Sequence, residues 1–535
     1  MDVQLLPKIV GADVELANTM LNANGWPQWP HNACRLVIKH VCGTRSVAAG
    51  YASDSHYDHG RVWLQNGGCI YIDCDHLEVC TPETRSALDF TAAIHAMYRI
   101  ADTARARAQA VAPSGCRLEL QANTSDGLGT SWGAHLNVLL SAAAWDRLFD
   151  RRLDCLLWLA SYQASSVLFT GQGKAASWFD ADVTYQISQR AEFTTTLIGQ
   201  QTTFARPLVN SRRETLAGEA SAAARLHCIS FDSTMCQTAT YLKAGVQQLI
   251  VAMIEAEVAP EVGCLLRDPV RAFQAYSDDP ELRQTAELIG GQHVRAVELQ
   301  VAFLEAAEGF VRSGRCGDAV PGADRILGVW RWVLEQLSAR RLRELEPHLD
   351  WLLKRRMLCH ALEADHSLTW RSPAIELLDR RYADLNADVG LYFACEANGL
   401  THNIVTEEQI ERFVAYPPVD TRASVRAGIL ARIPSHVTVN FVDWHQISLG
   451  QLADVRYRIG MPEPADPAAP NGRATLAEFV RDCAASGSAS VSVGQAPAAT
   501  PCTPKRTVTP AAYTCGDGYP PSHAAQLATI TEERQ

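Results

Sequence analysis

Apolar and polar residues alternate in several short runs within the first 145 residues, and a period of two predicts strands with one buried face. In "GADVELA" the apolar Ala12, Val14 and Leu16 fall on one face, with Asp13 and Glu15 on the other. In "CIYIDCD" Ile70, Ile72 and Cys74 form the face expected to be buried, and Cys69, Tyr71, Asp73 and Asp75 share the opposite one. The runs "KIVGADVELA", "CRLVIKHVC", "RVWL", "RLELQAN" and "SWGAHLNVLL" also read as strands, with Gly, Asn and Asp clusters between them as turns. One stretch, "SALDFTAAIHAMYRIADTARARAQAVA", has helical spacing instead. "TYQISQRAEF" and "RLHCISFD" are further expected strands. Residues 238–365 read as mainly helical, with the charges of "SARRLRELEPHLDWLLKRR" on a solvated helix face. Thr406 is the expected N-cap of a helix opening on Glu407 and Glu408, and "HVTVNFVDW" is strand-like. From about Met461 Pro, Ala, Ser, Thr and Gly dominate, which predicts a largely disordered tail with one short helix at "ATLAEFVRDCAA".

At 535 residues the chain has room for a large catalytic domain and a smaller one. Its net charge of −11 argues against general binding to nucleic acid or an anionic membrane, because phosphate attraction needs a basic surface. The first residues lack a secretory pattern, and the most apolar window is broken by glutamates, so a cytoplasmic location is expected. The 16 cysteines contain no CxxC pair and read as reduced apolar fillers.

Two carboxylates on one strand face repel each other unless cations or donors offset them, and oxygen-rich sites of this kind suit Mg²⁺. Asp13 and Glu15 on one strand, with Asp73 and Asp75 on another, therefore suggest two acidic faces holding metal ions. The competing readings are an exposed acidic edge, and zinc held by Cys74, His76 and Cys80, whose spacing matches no common structural zinc pattern. "NTSDGLGTSWGAHLN" supplies a glycine turn able to approach a phosphate, followed by Ser131, Gly133, His135 and Asn137 on one strand face. "FTGQGKA" places a lysine beside two glycines without forming a P-loop.

Taken in order, these segments resemble the Pup ligase and Pup deamidase family (proteasome accessory factor A and Dop). The series runs "GADVELA", "NGGCIYIDCDHLEVCTPE", "NTSDGLGTSWGAHLN", "LFTGQGKA", "YQISQRAEF", "RPLVNSRRE", "RLHCISFDSTMCQTATYLKAG", "LDWLLKRRML", "RYADLNADVGLY", "VTEEQIERFVAYPPVDTRASVR" and "VDWHQISL", from residue 11 to about 450. The resemblance implies an α+β fold with a glutamine-synthetase-like curved antiparallel sheet and helices over residues 1–400. A small C-terminal domain over 401–460 and the low-complexity tail over 461–535 would follow.

It also implies ATP and Mg²⁺ as cofactors, and as partners a Pup-like disordered protein modifier and the proteins it modifies, in the proteasome pathway. By position, Asp73 is the implied catalytic carboxylate. Asp13, Tyr71 and Glu78 are the implied Mg²⁺ ligands, and Thr81, Trp444, Arg190, Arg212 and Arg225 are implied to contact nucleotide or phosphate. The spacing from Asp73 to Glu78, with "SDGLGTSWG" and "TYLKAG", leans toward Dop, hence toward an amidohydrolase acting on a C-terminal glutamine or isopeptide. A carboxylate–amine ligase and a degenerate nucleotide- or peptide-binding paralogue are the alternatives. Cys69, Leu77, Val79, Leu136, Arg213 and Thr215 depart from the family pattern.

Overall fold

The structure is a computed structural model that describes residues 5–28, 30–46, 61–214, 216, 222–258, 262–433, 439–452, 455–460 and 463–464. Thr215 and nearly all of the expected tail, including its short helix, lie outside the described residues.

Seven strands, β1 (Val10–Leu21), β2 (Thr44–Ser46), β3 (Arg61–Trp63), β4 (Cys69–Asp73), β5 (His76–Cys80), β6 (Arg117–Gln121) and β7 (Ala134–Ser141), join an eighth at Ala223–Cys228. They form one antiparallel sheet in the order Ala223–Cys228, β7, β1, β5, β4, β3, β2, with β6 paired to the second half of β1. The alternation that predicted β1 is also what buries it. Val10, Ala12, Val14 and Leu16 enter the main core, while Gly11, Asp13 and Glu15 remain partly open on the other face.

Helices cover the apolar face. α2 (Ala87–Val111) starts where the Ser86 hydroxyl accepts a hydrogen bond from Asp89 N at 3.0 Å, with Asp89 favourably placed in the positive first turn. The Gln237–Glu255 helix is buried along its whole length, as a helix at the centre of a large core must be. Helices continue through Leu391–Ala397, interrupted by a hairpin of Thr285–Glu287 and His293–Arg295.

Two expected strands fold otherwise. "CRLVIKHVC" belongs mostly to α1 (Pro30–Ile38), where proline at the first helical position needs no amide partner. Ala33, Cys34, Val37 and Ile38 then recur on one helical stripe buried in the main core. "TYQISQRAEF" keeps only a two-residue strand, Tyr185–Gln186. Its polar side chains make a buried knot instead of a ladder. Gln189 Oε1 accepts from Thr124 N (2.6 Å), and Ser188 Oγ donates to Asp232 (3.0 Å).

The Thr406 cap forms as a reciprocal box with Gln409, and the Glu407–Ala415 helix packs Ile410 and Phe413 against Ala92, Ala93 and Ala96 of α2. Val439–Val442, Gln446–Leu452 and Val455–Gly460 form a separate antiparallel sheet. A second core joins Ile429, Leu430, Val442, Ile447 and Leu449 to Trp63, Cys69 and Cys80 of the large sheet. The C-terminal segment thus covers one end of the polar sheet face, and the remainder of that face lines a cavity.

Candidate active site

The hairpin between β4 and β5 turns on two residues. Cys74 and Asp75 both take positive φ (46° and 68°), the conformation a two-residue hairpin turn calls for, and Asp73 pairs with His76. Asp75 therefore leaves the strand face, contrary to the simple alternation. Its carbonyl accepts from Asn18 Nδ2 (3.0 Å) and Cys34 Sγ (2.8 Å). Cys74, expected on the buried side, is exposed on the turn.

Asp13, Glu15, Tyr71, Asp73, Glu78 and Thr81 all line a cavity of about 830 Å³. The register explains why. Glu15 lies opposite Glu78 across β1 and β5, Tyr71 lies opposite Glu78 across β4 and β5, and Asp13 lies opposite His135 on β7. Acidic groups from three strands thus converge on one face. Burial raises the Glu78 carboxyl well above its ordinary value, the charges of Asp13, Glu15 and Asp73 raise it further, and a hydrogen bond from Tyr71 opposes them. A carboxylate in such company is ionised cheaply only beside a cation.

Asp13 is held the other way. Burial acts against its charge, but the His135 hydrogen bond and the neighbouring His227 and Arg225 keep its carboxyl below the usual carboxylate range. His135 Nδ1 donates to Asp13 Oδ2 at 2.9 Å, and Asn137 Nδ2 donates to Asp13 Oδ1. His135 Nε2 is buried with no hydrogen-bond partner. One donor atom each from Asp13, His135 and His227 lies within 4.8 Å of the others, the only such metal-competent group among the described residues.

Gly133 marks the same spot, since a Cβ there would meet His135 Nε2 at 2.4 Å and Glu15 Oε1 at 2.7 Å. The orphaned nitrogen, the carboxylates and the space preserved by glycine fit a divalent cation, and they add Glu15, His135 and His227 to Asp13, Tyr71 and Glu78 as residues able to hold it. Cys74, His76 and Cys80 do not come together; His76 stacks on Trp132 with ring centroids 4.8 Å apart.

Cations line the rest of the wall. Arg225 Nη1 donates to Asn137 Oδ1 (2.7 Å) and its Nε to the Glu214 carbonyl (2.9 Å), while Arg212 pairs with Glu214 at 2.6 Å. Arg206, on the Arg206–Asn210 strand, donates to the Ser131 carbonyl, and Arg61 lies 4.5 Å over the Tyr71 ring. Both line the cavity, and the sequence reading singled out neither. Arg190 is elsewhere. It is 2% exposed, donates to the Ile229 carbonyl (3.0 Å) and to Ser131 Oγ (3.4 Å), and burial lowers it to about 10. It supports the wall from behind.

Trp444 closes the C-terminal side, edge-on to Trp63 at 5.0 Å. Arg426 lies 4.8 Å over the Trp444 ring, donates to the Gly67 carbonyl at 2.6 Å and reaches Glu83 Oε2 at 2.5 Å, while Arg422 reaches Glu83 Oε1 at 2.6 Å. The segment "VDTRASVR" is thus the tie between the C-terminal helix Arg422–Leu430 and the cavity wall.

The Pup-ligase protein family model matches residues 14–448. The chain belongs to the Pup ligase family. It is 33% identical over 402 residues to a Pup deamidase/depupylase of Mycolicibacterium smegmatis, covering 75% of this chain and 78% of that protein. It is 34% identical over 403 residues to a Pup–protein ligase of Acidimicrobium ferrooxidans, covering 74% of this chain and 84% of the other. The two identities are nearly equal, so they define the family without choosing a branch. A crystal structure of the complex between the prokaryotic ubiquitin-like protein Pup and its ligase PafA superposes with a TM-score of 0.74 at 21% identity, over 89% of this chain and 93% of that one. The Pup ligase of a second crystal structure, in complex with ADP, superposes with a TM-score of 0.66 at 22% identity, over 80% of this chain and 91% of that one. These likenesses show the α+β fold of the family.

Among the family's implied positions, eight of nine line the cavity here, and Arg190 does not. The sequence reading placed His135 on a strand face without giving it a ligand role and did not single out His227, Arg61 or Arg206, yet part of their signal was there. His135 and Asn137 share the phase of the strand that follows the glycine turn, and His227 shares the phase of Arg225. Among the described residues, no helix is long and apolar enough to cross a membrane.

Proposed function

We propose that this chain is an ATP- and Mg²⁺-dependent amidohydrolase of the deamidase/depupylase type, acting on the C-terminal glutamine or the isopeptide of a small protein modifier such as Pup. The observation that carries this reading is the position of Asp73. It ends β4 on the cavity face, one two-residue turn away from the strand that bears Glu78. The same cavity is lined by the cation-binding groups and by Arg61, Arg206, Arg212 and Arg225. The curated relatives' names supply the modifier and the amide chemistry.

In this mechanism Asp73 delivers the attacking oxygen to the substrate carbonyl carbon, either its own or that of a water it deprotonates. The carbon–nitrogen bond breaks, the nitrogen leaves with a proton as ammonia or as the lysine amine, and water supplies the oxygen that remains as carboxylate. Asp13, Glu15, Tyr71, Glu78, His135 and His227 hold the cation. Thr81, Trp444, Arg212 and Arg225 hold the nucleotide, and Arg206 and Arg61 offset charge along the wall. When bound, Mg²⁺ would supply positive charge where negative charge develops, beside the arginines of the wall. Arg190 positions Ser131 and Ile229 behind the wall.

The near-equal identity to a Pup–protein ligase supports a second reading, in which the modifier's glutamate is activated by phosphorylation and joined to an amine. One assay separates the two. The full chain is incubated with ATP, Mg²⁺ and a glutamine-ended modifier, and the modifier's mass is followed. A one-dalton gain without an added amine supports hydrolysis. No gain, together with stoichiometric ADP release and an amine-dependent adduct on the glutamate form, overturns hydrolysis in favour of ligation.

A further inference from the structure

β4 and β5 place Cys69 directly opposite Cys80 in the antiparallel register. Opposed residues of an antiparallel pair have Cα atoms about 4.5–5.5 Å apart, inside the roughly 4.4–6.8 Å spanned by disulfides. Cys69 is sealed beneath the C-terminal sheet at 0% exposure, whereas Cys80, at 4%, forms part of the cavity wall. Cys80 Sγ also contacts Glu78 Oε1 at 4.0 Å. An ordinary pair of buried cysteines fills space separately. These two face each other at the margin between cavity and core, so one sulfur is reachable and the other waits behind it.

We propose that Cys69 and Cys80 form a reversible dithiol–disulfide pair in the cavity wall, oxidised by a hydroperoxide small enough to enter the cavity. Cys80 Sγ attacks the peroxide oxygen, the O–O bond breaks, and the departing hydroxide takes the Cys80 proton as water, leaving a sulfenic acid. Cys69 Sγ then attacks Cys80 Sγ, the S–O bond breaks, and the second hydroxide takes the Cys69 proton as water. Two thiols lose two electrons and two protons, and one hydrogen peroxide becomes two waters. The new bond draws Cys80 Sγ away from Glu78 and staples β4 to β5 beside the Tyr71–Glu78 pair. A thiol reductant reverses it. The crosslink goes beyond the proposed reaction and does not depend on its direction.

The test treats the full chain with hydrogen peroxide under conditions where its circular dichroism is unchanged, removes the peroxide, then unfolds the chain in acidic denaturant and blocks remaining thiols with N-ethylmaleimide. Digestion with proteases cutting at Glu78 and before Asp73 and Asp75 separates the three cysteines of the hairpin. The expected result is a Cys69–Cys80 linked peptide pair, two hydrogens lighter than the dithiol, released by dithiothreitol, with the exposed Cys74 alkylated. Alkylation of both Cys69 and Cys80 after oxidation overturns the proposal. So does a disulfide from Cys74, or retained oxygen on either sulfur. Cys69→Ala and Cys80→Ala are each expected to lose the link; if either variant folds poorly, the wild-type mapping alone decides.

Discussion

The Asp13 carboxylate accepts a hydrogen bond from His135 Nδ1 at 2.9 Å, and this bond fixes a ring whose Nε2 is buried without a partner. A neutral imidazole that donates through Nδ1 carries its lone pair on Nε2, and that lone pair is what a cation needs. His135→Ala should therefore weaken Mn²⁺ binding, read by electron paramagnetic resonance, by about 10–100-fold while the circular dichroism stays unchanged. Unaltered binding in a folded variant would remove His135 from the site.

Gly133 is held to glycine by what surrounds it, not by its backbone angle. A methyl group would press on the His135 ring and on Glu15 Oε1. Gly133→Ala should cost about 1–3 kcal/mol of stability by overpacking and should weaken cation binding at least as much as His135→Ala. Wild-type affinity at unchanged stability would mean that the cradle is not where the cation sits.

Glu78 gives the site a pH dependence. Its carboxyl lies well above the ordinary 4.5 because of burial and then the neighbouring Asp13, Glu15 and Asp73 charges. A bound divalent cation reverses that balance, so binding expels the proton, and affinity rises with pH above the ordinary carboxylate range and falls as pH drops. Calorimetry of Mn²⁺ binding in two buffers of different ionisation enthalpy should show proton release at neutral pH. Heats independent of the buffer would contradict it.

Glu83 reports on the C-terminal tie. Burial raises its carboxyl, but Arg426 and Arg422 outweigh burial and hold it at about 2. A folded value below the unfolded 4.5 means that its contribution is complete above about pH 4.5 and is lost as pH falls toward 2. Glu83→Gln leaves two buried guanidiniums short of a counter-charge and should cost about 3–5 kcal/mol at neutral pH. Urea unfolding should also show a flatter acid limb in the variant. A neutral effect would mean that the arginines find other partners.

Much of the architecture was legible where one rule acted alone. β1 alternates cleanly because it has one face in the core and one on the cavity, and α2 follows from its helical spacing. The failures came where two rules competed. The apolar residues of "CRLVIKHVC" suit either a strand or a helix, and Pro30 with packing against the sheet decided for α1. Polar residues of "QISQR" are buried because distant segments satisfy them, which no local pattern announces. In the site, Asp73 and Glu78 could be named in sequence, but Asp75 could not be placed without knowing that Cys74 and Asp75 form the turn. Asp13, His135 and His227 converge only through the pairing of three strands, a relation invisible in any single segment.

The central claim is that Asp73 performs the chemistry while the other acidic groups bind. The direct measurement compares wild type and Asp73→Asn for two quantities, Mn²⁺ and nucleotide affinity by calorimetry, and conversion of a glutamine-ended modifier by mass spectrometry. The account predicts affinities within about threefold of wild type, roughly 0.7 kcal/mol, with the one-dalton gain abolished. Equal turnover in the variant, or loss of binding in parallel with turnover, would contradict it.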